Sequence, residues 1–186
     1  MSFTVGGGSK KEYQSAPVGS HAARAYQMID LGVQKNSFQP DEEPTHQLFV
    51  RFELGNELME DGKPLSEGRW INVSIGDLAK LVELAEAVEG KAIPFEERKH
   101  YDFQSVLGKP VQVTVKETSS GKTKIKGFGK LPKGLDCPEL VNPITKFSLG
   151  DMVGFSDLPD WQKLSIEERL ADNIWEYRDK NADVGF

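Results

Sequence analysis

Residues 46–54 read HQLFVRFEL, a stretch in which apolar side chains recur at every second position. Positions 48, 50, 52 and 54 share one face of an extended strand, whereas Phe49, Arg51 and Glu53 share the other. Alternation of this kind is typical of a β-strand that buries one face. The stretch therefore predicts a mainly β fold.

The segments on either side extend this pattern. Residues 21–31 before the stretch and residues 69–75 (RWINVSI) after it also predict strands, which makes three in succession. The period then changes to 3-and-4 spacing over residues 77–90, where Asp77 is the expected N-cap and Gly90 the expected stop. One main helix is therefore predicted after the third strand.

Alternation returns after a second short helix at residues 102–107. Residues 111–116 predict a fourth strand, and the turn signal TSSG at 118–121 leads into a fifth strand at 122–130. This order predicts a five-stranded OB-fold-like barrel over residues 21–135, with the main helix between strands three and four. An open α+β sheet with the helix across one face is the alternative that periodicity leaves open.

The two ends of the chain differ in composition from this middle region. Residues 1–20 are rich in glycine, serine and lysine and predict a flexible N-terminal arm. Residues 136–186 predict an irregular acidic C-terminal extension. Its one helix is expected at 165–175, begun by a capping box of Ser165 and Glu168.

The charge and the cysteine content limit the classes of function that the sequence allows. The net charge is −6, but residues 151–186 alone carry nine acidic and four basic side chains, so the rest of the chain is nearly neutral. That distribution does not exclude a nucleic-acid partner. No apolar run approaches the roughly 20 residues of a membrane helix, and the first twenty residues lack the apolar region of a secretory signal. Cys137 is the only cysteine, so a reducing cytoplasmic location is expected.

Several short motifs resemble those of a known family. They are APVGSH at 16–21, followed by Arg24, Tyr26 and IDLG at 29–32, then ELMEDGKP at 57–64, LGKP at 107–110 and LPKG at 131–134. These residues resemble a family of phage and prophage replication-module proteins that look like single-stranded-DNA-binding proteins. The resemblance covers about residues 16–150. It implies a protein that coats single-stranded DNA during replication or recombination in a bacterial host cell.

Candidate binding residues follow from the chemistry of single strands, which lie in positive grooves and stack their bases on aromatic rings. Strands one to three supply six candidates: Arg24, Tyr26, Phe49, Arg51, Arg69 and Trp70. Phe49 and Trp70 alternatively pack beneath the arm, the long loops or the C-terminal segment.

A basic segment around strands four and five is the stronger signal. Its members are Lys116, Lys122, Lys124, Lys126 and the aromatic Phe128, which continues the row of lysines if alternation holds. Such a row suits phosphate contacts beside the strand 4–5 loop, where OB-type barrels bind ligands. The alternative is that these lysines protect an edge strand from aggregation.

The C-terminal aromatics predict a partner-binding tail that recruits replication or recombination proteins. Its candidate residues are Trp175, Tyr177 and Phe186. The alternative is that this segment docks on the barrel or on a neighbouring subunit, as self-association on DNA would require.

Nothing in the sequence predicts catalysis. The three histidines, His21, His46 and His100, are far apart and lack companions at metal-ligand spacing. Cys137 has no evident histidine partner, and no glycine-rich loop joins a strand to a helix. We therefore expect no enzyme activity, no metal and no cofactor. Two hypotheses remain: single-stranded DNA binding, and a protein-interaction module built on the same barrel.

Overall fold

The computed structural model describes residues 14–36 and 39–181, and its main feature is one open sheet of six strands. The strands are β1 (Gly19–Gln34), β2 (Thr45–Leu58), β3 (Pro64–Asn72), β4 (Pro110–Glu117), β5 (Thr123–Gly129) and β6 (Thr145–Phe147). Their order is β3-β2-β1-β4-β5 with antiparallel neighbours, and β6 adds to β1 in parallel. The prediction of a mainly β fold is confirmed. Within the described residues no ladder joins β3 to β5, so both are edges of the sheet.

Short helices connect and cover the strands. They are α1 (Lys80–Glu89), α2 (Phe95–Arg98), α3 (Asp160–Glu167) and α4 (Ile174–Lys180), with 3-10 turns at Phe103–Val106 and Phe155–Asp157. Gly90 ends α1 with a φ of 72° and donates its N–H to the carbonyl oxygen of Glu86, as predicted. Asp77 is not the cap, because Ala79 occupies the N-cap position and the Asp77 carboxylate binds Arg98 at 2.8 Å. In the described parts of the chain, no helix has the length and apolar content needed to cross a bilayer.

The inner face of the sheet packs against α1 and forms the larger core. Phe52 of β2 lies there with Val113 of β4, Ile125 of β5 and Leu84 of α1, and all four are closed to solvent. The alternating apolar positions of β2 therefore point inward, as predicted.

Residues 136–181 cover part of the outer face, although an irregular extension was expected there. They add β6, α3 and α4 and build a second apolar cluster against the sheet. Its buried members are Ile29, Leu31, Phe49, Phe147, Leu149, Leu158 and Ile166. The single helix predicted at 165–175 is wrong. Ser165 lies inside α3, where its hydroxyl donates to the carbonyl of Trp161, and Asn173 caps the separate helix α4.

β1 contributes to both cores because neighbouring side chains point to opposite faces of the sheet: Met28 lies in the inner core and Ile29 in the outer cluster. The pairing of β1 with β2 shifts register twice, the second time between Asp30 and Val33. Extra residues of this kind bend a strand and increase its twist. At the second shift Gly32 has a φ of 69°, and a Cβ there would lie 2.8 Å from the carbonyl oxygen of Ala171. Glycine thus lets the C-terminal segment pack directly on the strand.

Candidate nucleic-acid interface

The exposed lysines of the β4–β5 hairpin form the basic part of the site. Lys116 lies directly opposite Lys124 in the ladder, and Lys126 follows on the same strand. Among the described residues, none of these three ammonium groups is within ion-pair distance of a carboxylate, and neither is that of Lys122 in the adjoining turn. Their positive charge is therefore available to an anionic ligand.

A bulge in β5 separates Phe128 from this row. Ile125 and Gly127 pair with neighbouring residues of β4, so Lys126 between them is left over in the ladder. One extra residue reverses the alternation beyond it. Phe128 consequently turns inward and packs on Phe52, with ring centroids 5.4 Å apart. The prediction that Phe128 continues the lysine row is wrong.

The lysines are close enough to influence one another's protonation. Lys124 is the main cause that lowers the pKa of Lys126 below its ordinary value, and Arg69 and Lys116 add to the effect. Like charges gathered in this way repel one another. A phosphate placed among them would relieve that repulsion.

Arg69 connects β3 with β5 across the open side of the sheet. Its guanidinium donates a hydrogen bond to the carbonyl oxygen of Ile125, the residue between two lysines of β5, and lies 5.6 Å from the centre of the Phe128 ring. Burial lowers the pKa of Arg69, an effect that Glu83 partly offsets. Trp70 is the next residue along β3, so this bond places Trp70 and the β5 lysines on neighbouring edges.

Trp70 belongs to a cluster of three rings on the outer face of the sheet. Its centroid lies 5.7 Å from that of Phe49, and Trp161 of α3 contacts both rings, at 4.8 Å from Phe49 and 5.7 Å from Trp70. Phe49 is 6% exposed, whereas Trp70 and Trp161 remain 46% and 38% exposed. Gly68 makes room for Phe49, because a Cβ there would lie 2.4 Å from the Cζ atom of that ring. Phe49 is therefore buried against the two exposed indoles. For Phe49 this is the alternative stated above, in which it packs beneath the C-terminal segment.

Trp161 was not among the predicted site residues. Pro159 and Asp160 ahead of it are typical of a first helical turn, and this signal could have placed α3 correctly. Nothing local indicates that the helix docks beside Trp70. Arg51, a predicted site residue, is half-buried at the edge of the cluster, with its guanidinium carbon 5.6 Å from the centre of the Phe49 ring.

Arg24 and Tyr26, expected on the outward binding face, are engaged inside the fold. Arg24 donates to the carbonyl oxygens of Cys137 and Pro138 at 3.0 and 2.9 Å, and so holds the C-terminal segment. Tyr26 is buried, and its hydroxyl donates to Ser66 at 3.2 Å. Neither side chain presents a contact surface to a ligand.

The predicted tail residues lie apart from the lysines in the sequence and in the elements that carry them. Trp175 is 68% exposed on α4, with Arg178 at 5.6 Å from its ring centre, and Tyr177 is half-buried. Helix α4 contacts β1. Phe186 lies outside the described residues, as do residues 1–13 of the predicted arm.

A cleft of about 590 Å³ opens beside Trp70, between β3 and the loop that leads to α1. Arg69, Asn72 and Lys80 supply polar groups to it, and Leu78 in its wall is almost fully exposed. The cleft is open to solvent and borders the aromatic cluster, so it can admit part of an extended ligand.

The described residues of this surface do not form a group typical of a metal site. In the described residues, no group of three or more histidine, cysteine, aspartate or glutamate side chains is placed to hold a metal ion. Burial raises the pKa of the Cys137 thiol, which keeps it protonated and weakly nucleophilic. Comparison of the sequence with protein-family models and with curated proteins found no match.

Proposed function

We propose that this protein binds single-stranded DNA on the surface where β3 faces the β4–β5 hairpin. One observation carries the proposal: Arg69 ties the strand of the exposed Trp70 to the carbonyl between Lys124 and Lys126. Arg69 thus connects the strand that carries an aromatic ring for bases with the strand that carries lysines for phosphates, and these lysines have no ion-pair partner among the described residues. That combination is what single-strand binding requires.

The architecture supports an OB-like, partly open barrel. The long, bent β1 lies between β2 and β4, and the two edge strands approach each other where Arg69 of β3 bonds to β5. OB-type barrels bind oligonucleotides on the face of strands two and three and at the strand 4–5 loop. Trp70 lies on β3 and the lysines lie on β4, β5 and the turn between them, which would be these two places in a barrel of this type. The resemblance to phage replication-module proteins points to the same ligand.

The role we propose is the coating of single strands during phage replication or recombination in the host cytoplasm. Phosphate contacts by the lysines would make binding strongly salt-dependent, because each contact releases counterions. Stacking on the indole would be tolerant of base identity, because every base has a π-face. Replication and recombination proteins, and further copies of this chain along the strand, are the partners expected of a coating protein.

The test is fluorescence anisotropy of a labelled oligo(dT) at several salt concentrations, with duplex DNA and single-stranded RNA as competitors. We expect tight binding to the single strand and poor competition by duplex. The double variant K124E/K126E should bind at least about tenfold more weakly, and its log–log salt slope should fall by about 1.4, the value for two lost contacts on a single strand.

The matched control is K63E/K180E, which changes the net charge equally but at exposed lysines in the turn between β2 and β3 and on α4. Its salt slope should stay close to that of the unchanged protein. Absence of oligo(dT) binding at low salt would overturn the proposal. If both double variants lose affinity equally, the protein still binds DNA, but the hairpin is not the binding site.

A protein-interaction module is the second candidate, favoured by the exposed Trp175 on the acid-rich C-terminal segment. Exposed tryptophans are frequent anchors of protein interfaces. If this candidate is right, the chain does not bind oligo(dT). It instead binds a purified partner protein, and the variant W175A loses that binding. Oligo(dT) binding that is unchanged in W175A would favour the first candidate.

A further inference from the structure

We infer that Trp161, supplied by the C-terminal segment, is a second base-stacking residue, and that it forms with Trp70 a two-ring platform for successive unpaired bases. The inference rests on the proposed single-strand binding and deepens it. It makes residues 136–181 part of the binding surface itself.

The first step is the geometry of the two indoles. Trp70 and Trp161 are neighbours at 5.7 Å, and their planes are inclined by 49°. At that inclination the rings touch without stacking face to face, so neither covers the other. Both keep more than a third of their surface in contact with solvent. Each ring therefore offers surface on which a base can stack.

The second step is that α3 has attachments other than Trp161. The helix is held by Ile166 and Gln162, which are closed to solvent, and Gln162 donates from its amide nitrogen to the amide oxygen of Gln27 at 3.1 Å. Gln34 of β1 adds a hydrogen bond to the carbonyl of Ser165 at 2.9 Å. These contacts secure the helix and leave the indole partly in solvent. Adjoining exposed aromatic surface of this kind is typical of a binding site.

The third step is preorganisation. Phe49 meets the Trp161 ring edge-on at 4.8 Å and the Trp70 ring at 5.7 Å, so one buried ring braces both exposed ones. Rings that are already held in place lose little conformational freedom when a base stacks on them. Arg51 lies over the same Phe49 ring and brings a cation to the edge of the platform.

The platform specifies the class of ligand. Two adjoining rings suit two consecutive bases whose faces are uncovered, as in an unpaired strand. In a duplex the bases stack on each other, so a protein reaches their edges in the grooves but not their faces. We therefore assign to this pair the discrimination between single-stranded and duplex nucleic acid, and to the hairpin lysines the salt-dependent phosphate contacts.

The experiment compares W161A with W175A in the oligo(dT) assay. Trp175 is the matched control, because it is a more exposed tryptophan on the neighbouring helix α4. We expect W161A to weaken binding between about fivefold and about 140-fold, the range for one lost stacking contact. Its salt slope should not change, since no phosphate contact is removed. W161F should recover most of the affinity, and W175A should bind normally.

Fluorescence provides a second readout that does not depend on the stability of W161A. In W70F/W175F the only remaining indole is that of Trp161, and saturating oligo(dT) should quench its emission. Unquenched emission in that variant while the strand is bound would overturn the inference. So would equal affinities of W161A and W175A, and in both cases the proposed function would stand. If the unchanged protein does not bind oligo(dT), both the proposed function and the inference about Trp161 are wrong.

Discussion

Phe52 and Glu53 are neighbours on β2, yet they belong to two different kinds of layer. Phe52 points inward and packs on apolar side chains such as Phe128 in the core beneath α1. Glu53 points outward, and its carboxylate accepts hydrogen bonds from the backbone N–H groups of Val141 and Asn142, both at 2.9 Å. The inner layer is held mainly by apolar packing, whereas the outer layer depends in addition on directed polar contacts.

Arg24 shows the same feature on β1. It is the ladder partner of Glu53, and opposite charges in that position commonly pair across strands. Here each of them binds the C-terminal segment: Glu53 accepts from its N–H groups and Arg24 donates to its carbonyl groups. Polar attachment confined to particular points leaves other parts of the outer face uncovered. Trp70 and the hairpin lysines lie in that remainder, and Trp161 of α3 lies beside Trp70.

The largest expected effect on stability comes from truncating Phe52 in the inner layer. F52A should lower the free energy of unfolding by about 3–5 kcal/mol, because a fully buried phenylalanine leaves a cavity when it is truncated. Urea denaturation measures the change. F95A is the control, since Phe95 is half-exposed on α2, and it should cost less than about 1 kcal/mol. Equal losses in the two variants would contradict the distinction between core and surface.

The next effect is local to the outer layer. E53A should destabilise the attachment of the C-terminal segment by about 1.5–3 kcal/mol, because the hydrogen bonds that the buried Glu53 carboxylate accepts from Val141 and Asn142 are lost. Hydrogen exchange at the amides of Val141 and Asn142 should accelerate. E139A removes an exposed carboxylate of the same segment and should change the exchange little. Unchanged protection in E53A would show that apolar contacts alone hold this layer.

The smallest effect concerns pH at the uncovered surface. A lysine with a lowered pKa loses its proton, and its positive charge, at a lower pH than an ordinary lysine. Lys126 should therefore stop contacting phosphate at a lower pH than an ordinary lysine would, which reduces the log–log salt slope of oligo(dT) binding by about 0.7.

The variant K124Q tests the cause. It removes the main group that lowers the pKa of Lys126, so its loss of slope should begin at a higher pH than in the unchanged protein. Anisotropy titrations across pH at constant ionic strength give the comparison. Coincident pH profiles would show that Lys124 does not control the protonation of Lys126.

Local patterns predicted most of the inner layer. Alternation in β2 identified its buried face, the TSSG turn located the β4–β5 hairpin, and Gly90 ended α1. These features depend on residues close in sequence, because backbone conformation and burial of one face repeat at short range. The lysines of the hairpin were found for the same reason.

The site itself was only partly predictable. Phe128 was expected beside the lysines, but the extra residue Lys126 in β5 turns it inward, and a period of two carries no mark of such an insertion. Phe49 was expected outward as a stacking residue, and it is outward, but α3 brings Trp161 over it. An outward aromatic has the same sequence pattern whether water or another helix lies above it.

The sequence by itself determined the presence of strands β1 to β5, the turn between β4 and β5, the end of the main helix and the presence of a basic hairpin, but not β6. Only the tertiary structure decided which parts of the outer face are covered and which rings remain exposed together. The reason is distance along the chain. Trp161 meets Phe49, and Arg24 meets Pro138, across more than a hundred residues, and contacts of that range leave no periodic signal near either partner.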